Sequence, residues 1–211
     1  MESGRGIQNM LQEETHLWQQ GFEHIAGVDE VGRGCLFGDV VAAAVILPKG
    51  LILEGVNDSK KLSEKKREEL YTVIMNEAIS VGIGIIDVPT INEINIKQAS
   101  RLAMQTAVRQ LTPEPDFILV DAENIDTPLP QMPLIHGDAV SQTIAAASII
   151  AKVTRDRMCQ EWDMLYPEYG IARHKGYATK QHREMLIEYG PTHLHRKLFI
   201  RNVMLVQQEL F

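Results

Sequence analysis

Four carboxylates stand where apolar runs stop. Asp29 and Glu30 close the run that begins near His24, Asp121 closes Phe117-Ile118-Leu119-Val120, and Asp138 follows Leu134-Ile135 across His136-Gly137. In open α/β sheets the residues just beyond the carboxyl ends of strands line the functional crevice. Carboxylates gathered there repel one another and raise each other's pKa unless a cation neutralises them. Hard divalent ions take oxygen ligands, and Mg²⁺ is held by a few carboxylates together with water and substrate phosphate. Two such ions about 4 Å apart can activate a water and stabilise the leaving oxygen of an in-line phosphoryl displacement. The pattern points to two-metal hydrolysis of a phosphodiester. Any one of these acids alone reads as a surface or capping residue; their shared context carries the chemistry. Adjacent strand residues point to opposite faces. For Asp29 and Glu30 to serve one site the strand must therefore end or bulge there, a freedom that Gly32 and Gly34 would supply.

The elements that must position these acids follow from spacing. Ile7, Met10, Leu11, Leu17 and Trp18 predict an amphipathic leader helix within residues 7–22. Residues 24–31 and 40–47 predict a strand pair around Gly32-Arg33-Gly34, the second strand stopped at Pro48. A helix is expected over residues 63–78 with Ser63 or Ser59 near its start, and a third strand over 81–88. Thr90-Ile91-Asn92-Glu93 has capping-box form and predicts one helix running to about Leu111, ended by Pro113 and Pro115. Phe117–Val120 reads as a strand buried on both faces, and Leu134-Ile135 as a short fifth strand. A long helix over 139–165, capped by Asp138 or Ser141, precedes helices near 179–189 and 203–210. Strands first, then strand–helix alternation, predict an α/β fold with a mixed sheet and helices on both faces.

The chain has 211 residues, 45% hydrophobic and 23% charged, which fits one globular domain and excludes a disordered chain. No apolar run reaches the roughly 18 residues of a membrane span. The N-terminus leads into Glu13 and Glu14 rather than an apolar block, so no secretory signal is expected. Two cysteines, Cys35 and Cys159, make neither a disulfide scaffold nor a four-ligand zinc site, and a reducing cytoplasm is the expected compartment. The net charge of −7 hides an asymmetry. Residues 1–150 carry 11 basic and 21 acidic side chains, whereas residues 151–211 carry 10 and 7. An acidic body with basic patches could hold metals in one place and phosphates in another.

Ala26-Gly27-Val28-Asp29-Glu30-Val31-Gly32-Arg33-Gly34 strongly resembles ribonuclease HII, the bacterial type 2 ribonuclease H. The likeness continues in family order through Val41–Val45, Asn57-Asp58-Ser59-Lys60-Lys61-Leu62-Ser63, Ile118–Asp121, Gly137-Asp138, Ala145–Asp156 and His174-Lys175-Gly176-Tyr177-Ala178-Thr179. The resemblance implies a ribonuclease H-like five-stranded sheet with a small C-terminal helical extension. It divides the chain into a leader (1–22), a catalytic domain (23–170) and a helical substrate-binding segment (171–211). It implies an endoribonuclease that hydrolyses the RNA strand of RNA–DNA hybrids and cuts 5′ of single ribonucleotides embedded in duplex DNA. The products would be a 3′-hydroxyl and a 5′-phosphate, and the cofactors two Mn²⁺ or Mg²⁺ ions.

Carried over by position, the metal-binding acids of that family fall on Asp29, Glu30, Asp121 and Asp138. Asp29 would bridge both ions, Glu30 and Asp121 would serve the substrate-side ion, and Asp138 the ion carrying the attacking water. Gly32-Arg33-Gly34 would meet the sugar-phosphate around the scissile bond, with Tyr177 helping this loop sense the 2′-hydroxyl that separates RNA from DNA. Lys60, Ser148, Lys152, His174 and Lys175 look like substrate-side contacts. Phe37, Asp39 and His193-Leu194 depart from the family pattern and bear on loop packing. Asp156 is expected to make a helical pair with Lys152 or with the neighbours of Arg155, and Cys35, Trp18 and Trp162 to be packing residues. No clamp-binding tail is recognisable after Arg201, and a monomer is expected. The rival readings are a non-catalytic hybrid-binding module, which loss of an acid would have favoured, and another two-metal nuclease on the same fold, which would need neither the GRG loop nor Tyr177.

Overall fold

The computed structural model describes residues 10–56 and 62–208, with side chains up to residue 204. Helix α1 (Gln12–Gln19) leads into strands β1 (Ile25–Val31) and β2 (Val40–Ile46), helix α2 (Glu64–Glu77) and strand β3 (Ser80–Ile86). Helices α3 (Val88–Ile94) and α4 (Ile96–Arg109) precede strands β4 (Phe117–Asp121) and β5 (Gln131–Leu134). The chain then runs through α5 (Gly137–Val140), α6 (Gln142–Leu165), α7 (Ile171–His174), α8 (Lys180–Tyr189) and α9 (Lys197–Gln208). The strands form one mixed sheet in the order β3-β2-β1-β4-β5, antiparallel across β1–β2 and β2–β3 and parallel across β1–β4 and β4–β5.

The alternation of β1 and β2 divides the core into two layers. Ala26, Val28, Ala42 and Ala44 pack beneath α4 with Ala103, Met104 and Ala107. Ala43 and Val45 pack on the opposite face with Ala146, Ile149 and Ile150 of α6. Helix α6 lies close on the sheet because Gly27 has no side chain: a Cβ there would collide with the backbone of Thr143 and Ile144. Helix α1 is anchored by Leu17 in the cluster with Ile25 and Ile144, and by Glu14. The Glu14 carboxylate accepts from the Ser141 hydroxyl at 2.7 Å and the Thr143 N–H at 3.1 Å, at the amino end of α6. An anion there also meets the positive end of the helix dipole.

Several sequence expectations need correction. The helix expected to run from Thr90 to Leu111 is two helices, because Asn95 adopts φ 67° and caps α4 by accepting from the N–H groups of Lys97 and Gln98. The cap of α3 is Asp87, which accepts from the Thr90 N–H, so Thr90 is capped rather than capping. Ser63 caps α2 and Ser141 caps α6, and Asp138 lies in the separate short helix α5. Strand β5 runs Gln131–Leu134 and leaves Ile135 exposed, and the last helix starts at Lys197 rather than near Val203. Residues 57–61, and Lys60 with them, lie outside the described residues, as does Ile7. No helix among the described residues is long and apolar enough to cross a membrane.

Candidate active site

Strand register fixes where the acids sit. β1 pairs in parallel with β4 through Val28 and Val120, so Asp29 and Asp121 are the next residues of two neighbouring strands, Asp121 the last of β4 and Asp29 two residues before the end of β1. Alternation puts Asp29 on the α6 face with Gly27, and Asp121 on that same face with Leu119. The Ser148 hydroxyl of α6 hydrogen-bonds the Asp29 carboxylate, and the Gly137 N–H donates to Asp121 Oδ1 at 2.7 Å. That bond ties the turn carrying buried Asp138 to the end of β4. Glu30 departs from expectation. β1 neither ends nor bulges at Asp29; Glu30 pairs with Ala42 and Val31 with Val41 in regular register. Glu30 therefore leaves the strand on the opposite face, yet its carboxylate stays within electrostatic reach of Asp29 and Asp121, and Arg33 Nη1 donates to its Oε1 at 3.1 Å.

Burial pushes the Asp29 carboxyl well above the usual carboxylate range, and the Glu30 and Asp121 charges beside it add to the rise. Burial also raises Glu30, against the opposing pull of Arg33. Glu30 Oε2 is buried with no hydrogen-bond partner in the structure. Among the described residues no three acidic, histidine or cysteine side chains already converge as a cation site. The donor set nonetheless fits a hard divalent ion: all oxygen, mutually repelling, and including an unpartnered buried carboxylate oxygen.

The Gly32-Arg33-Gly34 loop lies beside these acids. Gly32 adopts φ +95°, and a Cβ on it would strike the Arg155 guanidinium. Tyr177 is 44% exposed. A Cβ on Gly34 would lie 3.9 Å from its ring, and its hydroxyl hydrogen-bonds Cys35. Burial, and then Cys35, push that phenol above its ordinary pKa. Tyr177 and the glycine loop, 143 positions apart by number, thus share one edge of the site.

The ribonuclease HII family model matches residues 26–202. A ribonuclease HII of Alkaliphilus metalliredigens is 61% identical over 202 residues, covering 93% of this chain and 99% of that protein. That of Bacillus subtilis is 54% identical, covering 90% and 75%. The chain belongs to the ribonuclease HII family. It is accordingly a ribonuclease H, an endoribonuclease acting on RNA–DNA hybrids. Among solved structures, ribonuclease H2 of Pyrococcus horikoshii superposes with TM-score 0.77 at 25% identity, over 88% of this chain and 99% of that one. A PCNA:RNase HII complex from Archaeoglobus fulgidus gives 0.69 at 27%, over 82% and 93%.

Within this ribonuclease HII chain the remaining expected contacts divide. Lys175 is partly exposed, its backbone at φ 55° and its carbonyl accepting from Arg155. Lys152 is held at 2.5 Å by Asp156, the expected helical pair. Ser148 is buried with its hydroxyl on Asp29, so it supports the acid rather than facing a phosphate. His174 requires correction. It is buried, its Nε2 donates to the Tyr169 carbonyl at 2.8 Å and its Nδ1 accepts from the Gly176 N–H, which leaves neither nitrogen for a phosphate. Phe37 sits at the centre of an aromatic cluster with Trp162, Tyr169 and His195, and His193 accepts from or donates to the Tyr166 hydroxyl at 3.2 Å.

Sequence reasoning missed the buried arginines Arg155 and Arg196. One signal existed for the first: Ala151, Cys159 and Trp162, at helical spacing from it, are core residues.

Proposed function

We propose that this ribonuclease cuts on the 5′ side of single ribonucleotides embedded in duplex DNA as well as within RNA–DNA hybrids, leaving a 3′-hydroxyl and a 5′-phosphate. Asp29, Glu30, Asp121 and Asp138 would hold two divalent ions, Mn²⁺ or Mg²⁺. The observation that carries the reading is the pairing of β1 with β4, whose register brings Asp29, two residues before the end of β1, beside Asp121, the last residue of β4, next to Glu30 with its unpartnered oxygen. When bound, the ions supply Lewis-acid activation of water and neutralise charge on the leaving oxygen.

The chain's own residues do the remaining work. Ser148 and the Gly137 N–H hold Asp29 and Asp121 in fixed rotamers, so the acids are presented without reorganisation. Arg33 neutralises Glu30 while exposed enough to meet a phosphate. The Gly32–Gly34 backbone can approach a sugar closely, and Tyr177 offers a ring face beside it. The 2′-hydroxyl is the group that such a pair would read. Residues 23–170 act as the catalytic body and 171–211 as the segment completing the substrate surface. Residues 1–22 are the leader, of which α1 packs on the body through Leu17 and Glu14. With both cysteines unpaired and buried, a reducing cytoplasm is the proposed compartment. A monomer suffices, since every proposed residue comes from one chain.

The test is cleavage of a duplex with one ribonucleotide and of a continuous hybrid, each in EDTA and after adding Mg²⁺ or Mn²⁺. Cutting of both that depends on the metal, with the stated termini, is expected. Full activity in EDTA would refute the metal reading, and cutting of the hybrid alone would refute the single-ribonucleotide reading.

A further inference from the structure

The two halves of the ribose-reading edge, the Gly32–Gly34 loop and Tyr177, come from distant parts of the chain. Two consecutive residues of the C-terminal segment reach one half each. Arg196 is fully buried. Its Nε donates to the Gly38 carbonyl at 2.8 Å, and its Nη1 to the carbonyls of Gly32 at 2.7 Å and Arg33 at 3.1 Å. Burial pulls its pKa down to about 10, so it remains a cation at neutral pH. Arg155 grips the other side, donating to the carbonyls of Asp39, Phe37 and Lys175.

His195 reaches the other half through His182. Its Nδ1 accepts from the Thr192 N–H at 2.9 Å, so its proton is on Nε2, which donates to His182 Nε2 at 3.3 Å. His182 must then carry its proton on Nδ1, which donates to the Tyr177 carbonyl at 2.9 Å. The partners leave each ring a single neutral tautomer. Both rings are almost wholly buried, and His174 stacks on His182 at 4.4 Å.

We infer that His195-Arg196 is a positioning device that locks the glycine loop and Tyr177 into one fixed relation, with His182 relaying the Tyr177 half. The inference rests on the reading that these two elements sense the ribose. None of the three residues touches substrate. Their effect is geometric: Gly32 at φ +95° and Gly34 have no side chain to pack, so the grip of Arg196 on the carbonyls of Gly32 and Arg33 fixes the loop. Small misplacements of a positioning group cost rate rather than binding. Within a continuous RNA strand neighbouring riboses offer other registers, so the cost falls on the isolated ribonucleotide.

The experiment compares the wild type with Arg196→Lys, His182→Leu and His182→Asn on a duplex holding one ribonucleotide and on a continuous hybrid, measuring kcat and KM for each. Lys keeps a cation with fewer donors, and Asn keeps an N–H where His182 Nδ1 stands, which Leu lacks. The ratio of two rates on one preparation does not depend on the fraction folded. Arg196→Lys and His182→Leu should lower kcat at the single ribonucleotide about tenfold and on the hybrid no more than about threefold, the loss expected from one or two hydrogen bonds, with KM little changed. His182→Asn should recover most of the loss. Equal losses on both substrates, or His182→Asn no better than His182→Leu, would overturn the inference alone. A wild type that cannot cut the single ribonucleotide would instead overturn the ribose reading beneath it.

Discussion

Asp29 is the residue on which chemistry and stability pull apart. Its carboxylate is buried between Ser148 and the charges of Glu30 and Asp121, an arrangement that costs folding energy in the absence of a cation. Asp29→Asn should abolish cleavage yet raise metal-free stability by about 1 kcal/mol, roughly 2–4 °C in Tm for a chain of this size. Cleavage assays and thermal melts in EDTA check both halves; an active Asp29→Asn enzyme would sink the metal model. Tyr177→Ala should damage cutting at a single embedded ribonucleotide more than cutting within a long RNA tract. Tyr177→Phe should be milder if stacking dominates and nearly as severe if the phenol hydroxyl, here bonded to Cys35, joins the 2′-hydroxyl network. Equal loss of both activities in Tyr177→Ala would reduce the residue to packing. The four acids were legible because a charge closing an apolar run is conspicuous. Arg155 and Arg196 were not, because an arginine in a sequence looks solvated, and only the fold reveals that these two donate to carbonyls of the 32–39 loop.

At the scale of elements, helix α1 is tied to the amino end of α6 by one carboxylate. Glu14 is 1% exposed and accepts from Ser141 and Thr143. Glu14→Ala should cost about 2 kcal/mol, as charge-assisted hydrogen bonds do, and lower Tm by roughly 4–8 °C. The rate per folded molecule should not change, since Glu14 lies outside the site; a change in rate would show that α1 also shapes the acids. The His182–His195 pair predicts a pH dependence. Burial pushes His182 down to about 4 and His195 to about 3, below the unfolded value near 6.5. The unfolded chain therefore binds more protons between pH 6.5 and about 4. Stability should be flat above that window and fall as pH drops through it, by up to about 1.4 kcal/mol per pH unit for each histidine. Denaturant titrations at pH 7 and pH 5 should show the wild type losing more than His182→Asn, and identical losses would contradict the assignment. Element types were readable from periodicity and caps, but breaks were not. Asn95 splits α3 from α4 by taking a positive φ that its neighbours' helical spacing concealed. β1 continues through Glu30 because its pairing with β2 outweighs the local freedom of Gly32.

At the scale of the whole molecule, the charge asymmetry must be recounted against burial. Of the ten basic side chains in residues 151–211, Arg155 and Arg196 are buried on carbonyls, Lys152 is held by Asp156 and Arg157 by Glu68. The cations that remain at or near the surface are Arg173, Lys175, Lys180, Arg183, Lys197 and Arg201, all in the segment that carries Tyr177 and reaches the glycine loop through Arg196. Duplex binding should therefore be governed by this face and weaken as salt rises, because each phosphate neutralised releases condensed counterions. Deleting the segment would not test this, since it would also remove Arg196 from the loop. A cleaner variant is Lys180→Ala/Arg183→Ala/Arg201→Ala, whose side chains are exposed and whose one ion pair among the described residues, Lys180 with Glu184 at 3.7 Å, is solvated and so contributes little. If all three meet phosphate, the slope of log K against log salt should become shallower by up to about 3, near 0.9 for each phosphate of a B-form duplex that is no longer neutralised. Lys97→Ala/Arg109→Ala, exposed cations of α4 on the sheet face opposite α6, should leave the slope unchanged. Binding measured by anisotropy over a salt series decides between them: equal slopes for both variants would place the duplex elsewhere on the molecule, and the substrate role of residues 171–211 would fall with it.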